Sequence, residues 1–445
     1  MRRKGLCLLA AGLTAVVASQ GQAETATASE VMALAGKFAF FDKSLSSPPG
    51  QACAACHGPA VGWTGPNVGI NRAGAVYPGA FHYKGRVFGN RKPPSAGYAT
   101  LSPLFDFDLG TNQFVGGNFW DGRATGWVLG TPSADQATGP FLNPVEQHNT
   151  MAGVCEAVAA STYADLFTEA FGEPIDCSTP EAVAKSYDRI ALAIAAYEDS
   201  SEVNQFSSRF DEYWQACLKA GGSQKDCAAG KLGNVGGYLS TDEWAGFGLF
   251  VSPTAGNCAS CHPAPLFTDF TYDNLGVPKN PKNPVYQTDP GFIDTGLGGF
   301  VAKLAADDAW RSEPYVPASM LSLSSSELEN LSADSLGKQK VPTLRNVGLR
   351  PGPGFTKAYT HNGAFKSLSE VVHFYNTRDT LQCSEVGGIP FVSCWPAPEE
   401  AANINEQIGD LGLSTADEAL LVKFLETLSD RNRVPPPETQ KQKNR

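Results

Sequence analysis

The chain has 445 residues, more than one hydrophobic core ordinarily serves, so two domains are the default expectation. Its formal charge is −11, and the part beyond Arg2, Arg3 and Lys4 carries three more net negative charges, which argues against a nucleic-acid backbone as partner. Apolar content is ordinary for a globular protein, and frequent Gly and Pro predict long loops between elements.

In chain order, a leader comes first. Arg2-Arg3-Lys4 is a basic stretch, 6–17 is a short apolar run, and Gly21-Gln22-Ala23 offers small-residue cleavage before Glu24. Residues 1–23 are therefore expected to be a signal peptide rather than an anchor. The run is too short to span a bilayer and no second one follows. The mature chain is expected in the periplasm, with no membrane span.

A helix over 30–41 leads into Cys53-Ala54-Ala55-Cys56-His57. C-x-x-C-H is the attachment motif of haem c: two thiols form thioethers and the imidazole reaches the iron. A second helix, over 180–200, places Val183, Tyr187, Ile190, Ile194 and Tyr197 at helical spacing. Gly and Asn cluster at 230–237, the expected domain boundary. A helix over 241–250 then leads into Cys258-Ala259-Ser260-Cys261-His262.

"GKFAFFDKSLSSPPGQACAACH" and "AGFGLFVSPTAGNCASCH" read alike, each as helix, small-residue loop and motif. A redox dithiol or half a zinc site are the other readings of C-x-x-C-H, but neither motif has a second Cys/His pair at zinc spacing. The fold expected is mainly α: two tandem cytochrome c-like haem domains with long loops, over 24–235 and 236–435. His57 and His262 are the expected proximal ligands of two covalently bound haems c.

Beyond the second motif, 278–335 is rich in Pro, Gly and Ser and reads mostly as loop. Ser367-Leu368-Ser369-Glu370 is a capping-box pattern that opens a helix. On it Leu368, Val371, Val372 and Tyr375 share one face, and His373 points about 200° away from Tyr375. A last amphipathic helix is expected over 414–428, with Leu420, Leu421, Phe424, Leu425 and Leu428 on one face. The Lys/Gln-rich tail, 436–445, is expected to be disordered.

Six cysteines outside the leader and the motifs fall into three close pairs, 155/177, 217/227 and 383/394. In an oxidising compartment these are expected as disulfides; buried free thiols are the other reading, since spacing does not fix connectivity.

Further blocks carry a resemblance. Phe119-Trp120-Asp121-Gly122-Arg123-Ala124, Gln136-Ala137-Thr138-Gly139-Pro140 and Asn143-Pro144-Val145-Glu146 resemble the bacterial dihaem cytochrome c peroxidase and MauG family. So do Val341-Pro342-Thr343-Leu344-Arg345-Asn346-Val347 and Tyr359-Thr360-His361-Asn362-Gly363. The resemblance spans about 30–430.

It implies that the N-terminal haem meets hydrogen peroxide and the C-terminal haem relays electrons. Gln136, Pro140 and Glu146 then fall on the distal pocket, with Glu146 as acid/base. Trp120 lies between the haems. A Ca²⁺ ion is implied there too, with a side-chain oxygen from Asn90 and carbonyls from Thr356 and Ala358, the last standing where proline is usual. In some members a histidine near the place of His82 caps the peroxide haem; His148 is the nearest alternative, and a surface residue is the reading preferred for it.

Many members have methionine fourteen residues after the histidine of the block at His361. Here that position is Tyr375, as in MauG-like members. An anionic tyrosinate disfavours the ferrous state that a methionine thioether favours. Three functions follow as expectations. One is MauG-like oxidation of a protein partner. Another is peroxide reduction with a small cytochrome or cupredoxin as donor. The third is a dihaem electron carrier without peroxide chemistry, which would need no Glu146 or Gln136.

Overall fold

The computed structural model describes residues 27–80, 87–431 and 434–437. The expected signal peptide, His82 and most of the expected tail lie outside them. Among the described residues the chain is mainly helical, and none of its helices is long and apolar enough to cross a membrane.

The first unit is built from α1 (Ala28–Phe41), α2 (Pro132–Leu142), α3 (Met151–Ala159), α4 (Ala164–Phe171) and α5 (Pro180–Glu198). Thr27 and Glu30 form a reciprocal capping box that starts α1. Phe40, Phe141, Tyr187, Ile190, Ile194 and Tyr197 meet in one core. The helix expected over 180–200 is α5, which puts its apolar face into that core.

The second unit is built from α6 (Arg209–Lys219), α7 (Thr241–Val251), α10 (Leu368–Thr377) and α11 (Thr415–Glu426), with α8 (Gly296–Ala306) and α9 (Ser325–Ala333) between them in sequence. Phe210, Phe247, Phe250, Phe267, Leu421 and Phe424 form its core. α6 precedes the Gly-rich stretch at 230–237, yet Phe210, Tyr213 and Trp214 pack into this second core.

The internal repeat has a packing signature. Gly36 of α1 crosses α5 so closely that a Cβ there would lie 1.8 Å from the Ala193 carbonyl oxygen. Gly246 of α7 crosses α11 likewise, with 2.0 Å to the Leu420 oxygen. Four residues on, Phe40 and Phe250 are both buried. Glycine at the same place in both copies lets each motif-bearing helix touch the last helix of its unit, backbone to backbone.

Segment 278–335 differs from the expected loop. α8 buries Leu297, Val301 and Leu304, and α9 buries Leu328, against Phe105, Trp127 and Trp310. A capping box between Ser324 and Glu327 starts α9. The Gly and Ser content hid a helical period of apolar residues. Two short antiparallel ladders pair 106–108 with 113–115 and 272–273 with 339–340. All three expected disulfides are formed: Cys155–Cys177, Cys217–Cys227 and Cys383–Cys394.

Candidate functional site

Four cysteines among the described residues are unpaired: Cys53, Cys56, Cys258 and Cys261. Each pair lies on a single turn that places the histidine next to it, with His57 N–H and His262 N–H donating to the Cys53 and Cys258 carbonyls at 2.9 Å. Nδ1 of His57 pairs with the Trp63 carbonyl at 3.2 Å, and Nδ1 of His262 with that of Phe267 at 2.9 Å. Trp63 and Phe267 both have positive φ, which turns those carbonyls toward the rings. Burial pushes His57 down to about 4 and lowers His262 as well. Each ring is therefore neutral, donates from Nδ1 and keeps Nε2 as its lone-pair nitrogen, the form that binds a metal.

Each motif borders a cavity. The first is lined by Cys53, Cys56, His57, Asn90, Trp120, Gln136, Pro140 and Glu146. α2 supplies Gln136 and Pro140. Pro140 stands in the last turn of α2, which stops at Asn143. The next turn brings Glu146 back, its N–H bonded to the Asn143 carbonyl at 3.0 Å. The Asn143 amide donates to Glu146 Oε1 at 2.9 Å. Burial raises the Glu146 pKa above 4.5, against the lowering pull of Arg123 and Asn143. Arg123 lies over the Phe119 ring, 3.9 Å from its centroid, and is held by both oxygens of Asp121.

The second cavity is larger and is lined by Cys258, Cys261, His262, Ala358, His361 and Tyr375 among others. Tyr375 enters it from α10, and burial pushes its hydroxyl above the usual range. His373 sits on another face of α10, with Nδ1 at 3.0 and 3.2 Å from the Glu418 carboxylate. Among the described residues no methionine lines this cavity.

Trp120 and Lys92 border both cavities. The Trp120 indole N–H donates to the Lys92 carbonyl at 2.8 Å, and the Lys92 N–H donates to that of His361 at 2.7 Å. His361 stands edge-on to Trp120, centroids 6.4 Å apart. Of the three residues expected to bind calcium, Asn90 borders the first cavity, Ala358 borders the second, and Thr356 borders neither. His82 lies outside the described residues, and His148 borders neither cavity.

Sequence reasoning missed Lys92, Lys357, Glu198 and Arg91. Glu198 was detectable: it stands four residues after Ile194, on the apolar face of α5. It lines the first cavity, and burial pushes it up to about 8, so it keeps its proton at neutral pH. Arg91 bonds Asp121 at 2.7 Å and Asp294 at 2.6 Å, tying the two halves of the chain together.

A neutral imidazole pinned through Nδ1, two unpaired thiols on one turn and a cavity beside them fit a haem in each unit. Known proteins agree. The family model for di-haem cytochrome c peroxidase matches residues 30–217. The methylamine utilization protein MauG of Paracoccus denitrificans is 30% identical, over 96% of this chain and 95% of that protein. The chain belongs to the bacterial dihaem cytochrome c peroxidase and MauG family.

The cytochrome-c peroxidase IdrP1 of Denitromonas iodatirespirans is 27% identical, over 88% of this chain and 80% of that one. The crystal structure of the diheme peroxidase BthA from Burkholderia thailandensis superposes with a TM-score of 0.65 at 27% identity, covering 90% of this chain and 86% of that one. The fold is thus two tandem cytochrome c-like units, and the protein is a peroxidase-type oxidoreductase with two haem groups and hydrogen peroxide as substrate.

Proposed function

We propose that this dihaem peroxidase is MauG-like and periplasmic: hydrogen peroxide reacts in the cavity of His57, and oxidising equivalents pass by Trp120 to the cavity of His262 and on to a protein partner. The observation that carries this reading is the inequality of the two cavities. The first is lined by two carboxyls with raised pKa, Glu146 and Glu198; Tyr375 enters the second from α10, where Asp294 and Glu399 are held low; and Trp120 borders both.

In this reading Cys53, Cys56, Cys258 and Cys261 anchor the haems by thioethers, and the Nε2 atoms of His57 and His262 hold the irons. Haem bound in this way supplies iron that can activate peroxide and exchange electrons. Breaking the O–O bond heterolytically requires a proton to leave one peroxide oxygen and reach the other. The Glu146 carboxylate takes that proton and returns it, and a raised pKa helps it hold the proton between the two acts. Gln136 and Pro140 shape the wall beside it. Trp120 is the aromatic group between the cavities.

Tyr375 is the residue that favours MauG-like chemistry over plain peroxide removal. As a phenolate on the second iron it would disfavour the ferrous state, making that haem a poor entry point for electrons from a small donor protein. Two experiments test the reading. Glu146→Gln should slow the reaction with peroxide by about 10²- to 10⁴-fold in stopped-flow mixing, with haem content unchanged; an unchanged rate removes Glu146 from the role. Steady-state peroxide consumption with a reduced small cytochrome should be slow, and rapid turnover would instead make the protein a cytochrome c peroxidase.

A further inference from the structure

Beyond residue 236, the three most exposed large apolar side chains among the described residues share one loop. The Cys383–Cys394 disulfide closes it, and it presents Val386, Ile389 and Val392 at 52%, 63% and 78% exposure. Exposed apolar residues are ordinary when scattered singly, and a cluster of them marks an interaction site. The loop is held in shape. The Ile389 carbonyl accepts from the N–H groups of Val392 and Ser393 at 3.0 and 2.9 Å, and the Ile389 N–H donates to Ser393 Oγ at 3.0 Å. Phe391 packs back against the core of the unit. A loop ordered in advance loses little entropy when a partner binds it.

The loop stands at the C-terminal end of α10, the helix that brings Tyr375 to the second cavity. At its base the Trp395 N–H donates to the Leu381 carbonyl at 2.7 Å, and the Trp395 indole N–H donates to Thr377 Oγ1 at 3.0 Å. The same helix end holds the segment 405–411. The Gly409 N–H donates to the Tyr375 carbonyl at 2.7 Å, and the Gly409 carbonyl accepts the Asp379 N–H at 2.9 Å. That segment lines the second cavity, and its Gln407 is also exposed, so the cavity reaches the surface here. The charge around this place has one sign. From Asp379 to Glu418 the chain has eight Asp and Glu residues and no Lys, Arg or His. Asp379, Glu385, Glu406 and Asp410 are exposed. Arg378, just before the stretch, is buried; it pairs with Asp379 and donates inward to the carbonyls of Leu275, Asn405 and Ile408.

We propose that the Cys383–Cys394 loop is the docking site for the protein that exchanges electrons with the second unit, and that this partner carries an apolar patch rimmed by Lys and Arg. The apolar side chains form the dry centre of the contact, and the carboxylates around them steer and orient a basic partner. A second copy of this chain fits the surface poorly. It would bring the same carboxylates to the contact, on a chain whose formal charge is −11. The inference rests on the reading that oxidising equivalents leave through the second unit.

The probe is a small basic cytochrome c with lysines around its exposed haem edge, used beside the same cytochrome with its lysines acetylated. Titration calorimetry is run between ferric proteins without peroxide, with the haem content of the parent and of each variant verified first. A failure of the peroxide chemistry leaves this binding assay readable, so the two failures are distinguishable. The parent should bind the basic cytochrome at low salt, lose affinity as salt rises, and bind the acetylated form at least about tenfold more weakly. Val386→Ser, Ile389→Ser and Val392→Ser combined should weaken binding by about tenfold or more. Glu385→Gln combined with Asp410→Asn should weaken it too and flatten its salt dependence. Leu109→Ser is the control. Its side chain is 65% exposed on the turn between 106–108 and 113–115, and binding should not change. No binding by the parent, parent-like affinity in the triple serine variant, or an equal loss in Leu109→Ser overturns the proposal. So does a dimer of the parent in analytical ultracentrifugation that the triple variant lacks, since the loop would then serve self-association.

Discussion

Glu146 sits where opposed effects meet: burial raises its pKa, Arg123 and the Asn143 amide lower it, and burial prevails. A carboxyl that takes a proton from peroxide acts as its anion. The rate constant for peroxide is therefore expected to fall as the pH drops through an apparent pKa above 4.5. A stopped-flow series across the acidic range checks this, and a flat profile would contradict it. Arg123→Gln removes a lowering influence and should move the same inflection upward. Single residues differ in how far the sequence reveals them. The faces of Tyr375 and His373 follow from helical period alone, and the structure puts one on the cavity and the other on Glu418. Lys92 gave no such signal, because an isolated lysine reads as solvated until the fold encloses it. The cap of α10 was half legible. Ser367 accepts the Glu370 N–H, but the Glu370 carboxylate turns to the Lys366 N–H instead of completing the box.

Among elements, the two crossings at Gly36 and Gly246 explain why each motif-bearing helix can serve the same architecture. Alanine at either site would force its Cβ onto a carbonyl oxygen of the facing helix. Gly36→Ala and Gly246→Ala are each expected to cost about 1–3 kcal/mol, seen as a lowered Tm with peroxide chemistry retained at low temperature. Gly248→Ala is the control. Nothing stands within 4 Å of its Cβ, so it should be neutral or stabilise α7 by up to about 1 kcal/mol. A Tm for Gly246→Ala as high as that of Gly248→Ala would show that the crossing is looser than described. α5 and α11 were readable from their apolar positions at helical spacing, and α1 and α7 from the repeat that leads each into its C-x-x-C-H motif. α8 and α9 were not, because glycine and serine masked them and their apolar faces pack on Phe105 and Trp127, some 170 to 220 residues earlier in the chain. The Gly-rich stretch at 230–237 marks a change in the chain path, whereas packing groups α6 with the second core.

For the whole molecule, Arg91 is an ionic link between the halves, with Asp121 on one side and Asp294 on the other. Burial would push both carboxyls up, but the arginine charges outweigh it and hold both below 3.8. Their contribution to stability is therefore present above an unfolded-state pKa near 3.8 and is lost as the pH falls through the lower folded values. Arg91→Met leaves two buried carboxylates without their common partner and is expected to cost about 3–5 kcal/mol at neutral pH, with a smaller penalty in acid. Thermal denaturation at two pH values measures it, and an equal penalty at both would argue against the charge explanation. The central claim concerns the asymmetry of the two haem sites across Trp120, and it is tested most directly by electron paramagnetic resonance of the ferric, haem-loaded protein. The account predicts two unequal haem signals, one of which is lost or changed in Tyr375→Phe while the other is untouched. Two signals that both survive that substitution unchanged would contradict it.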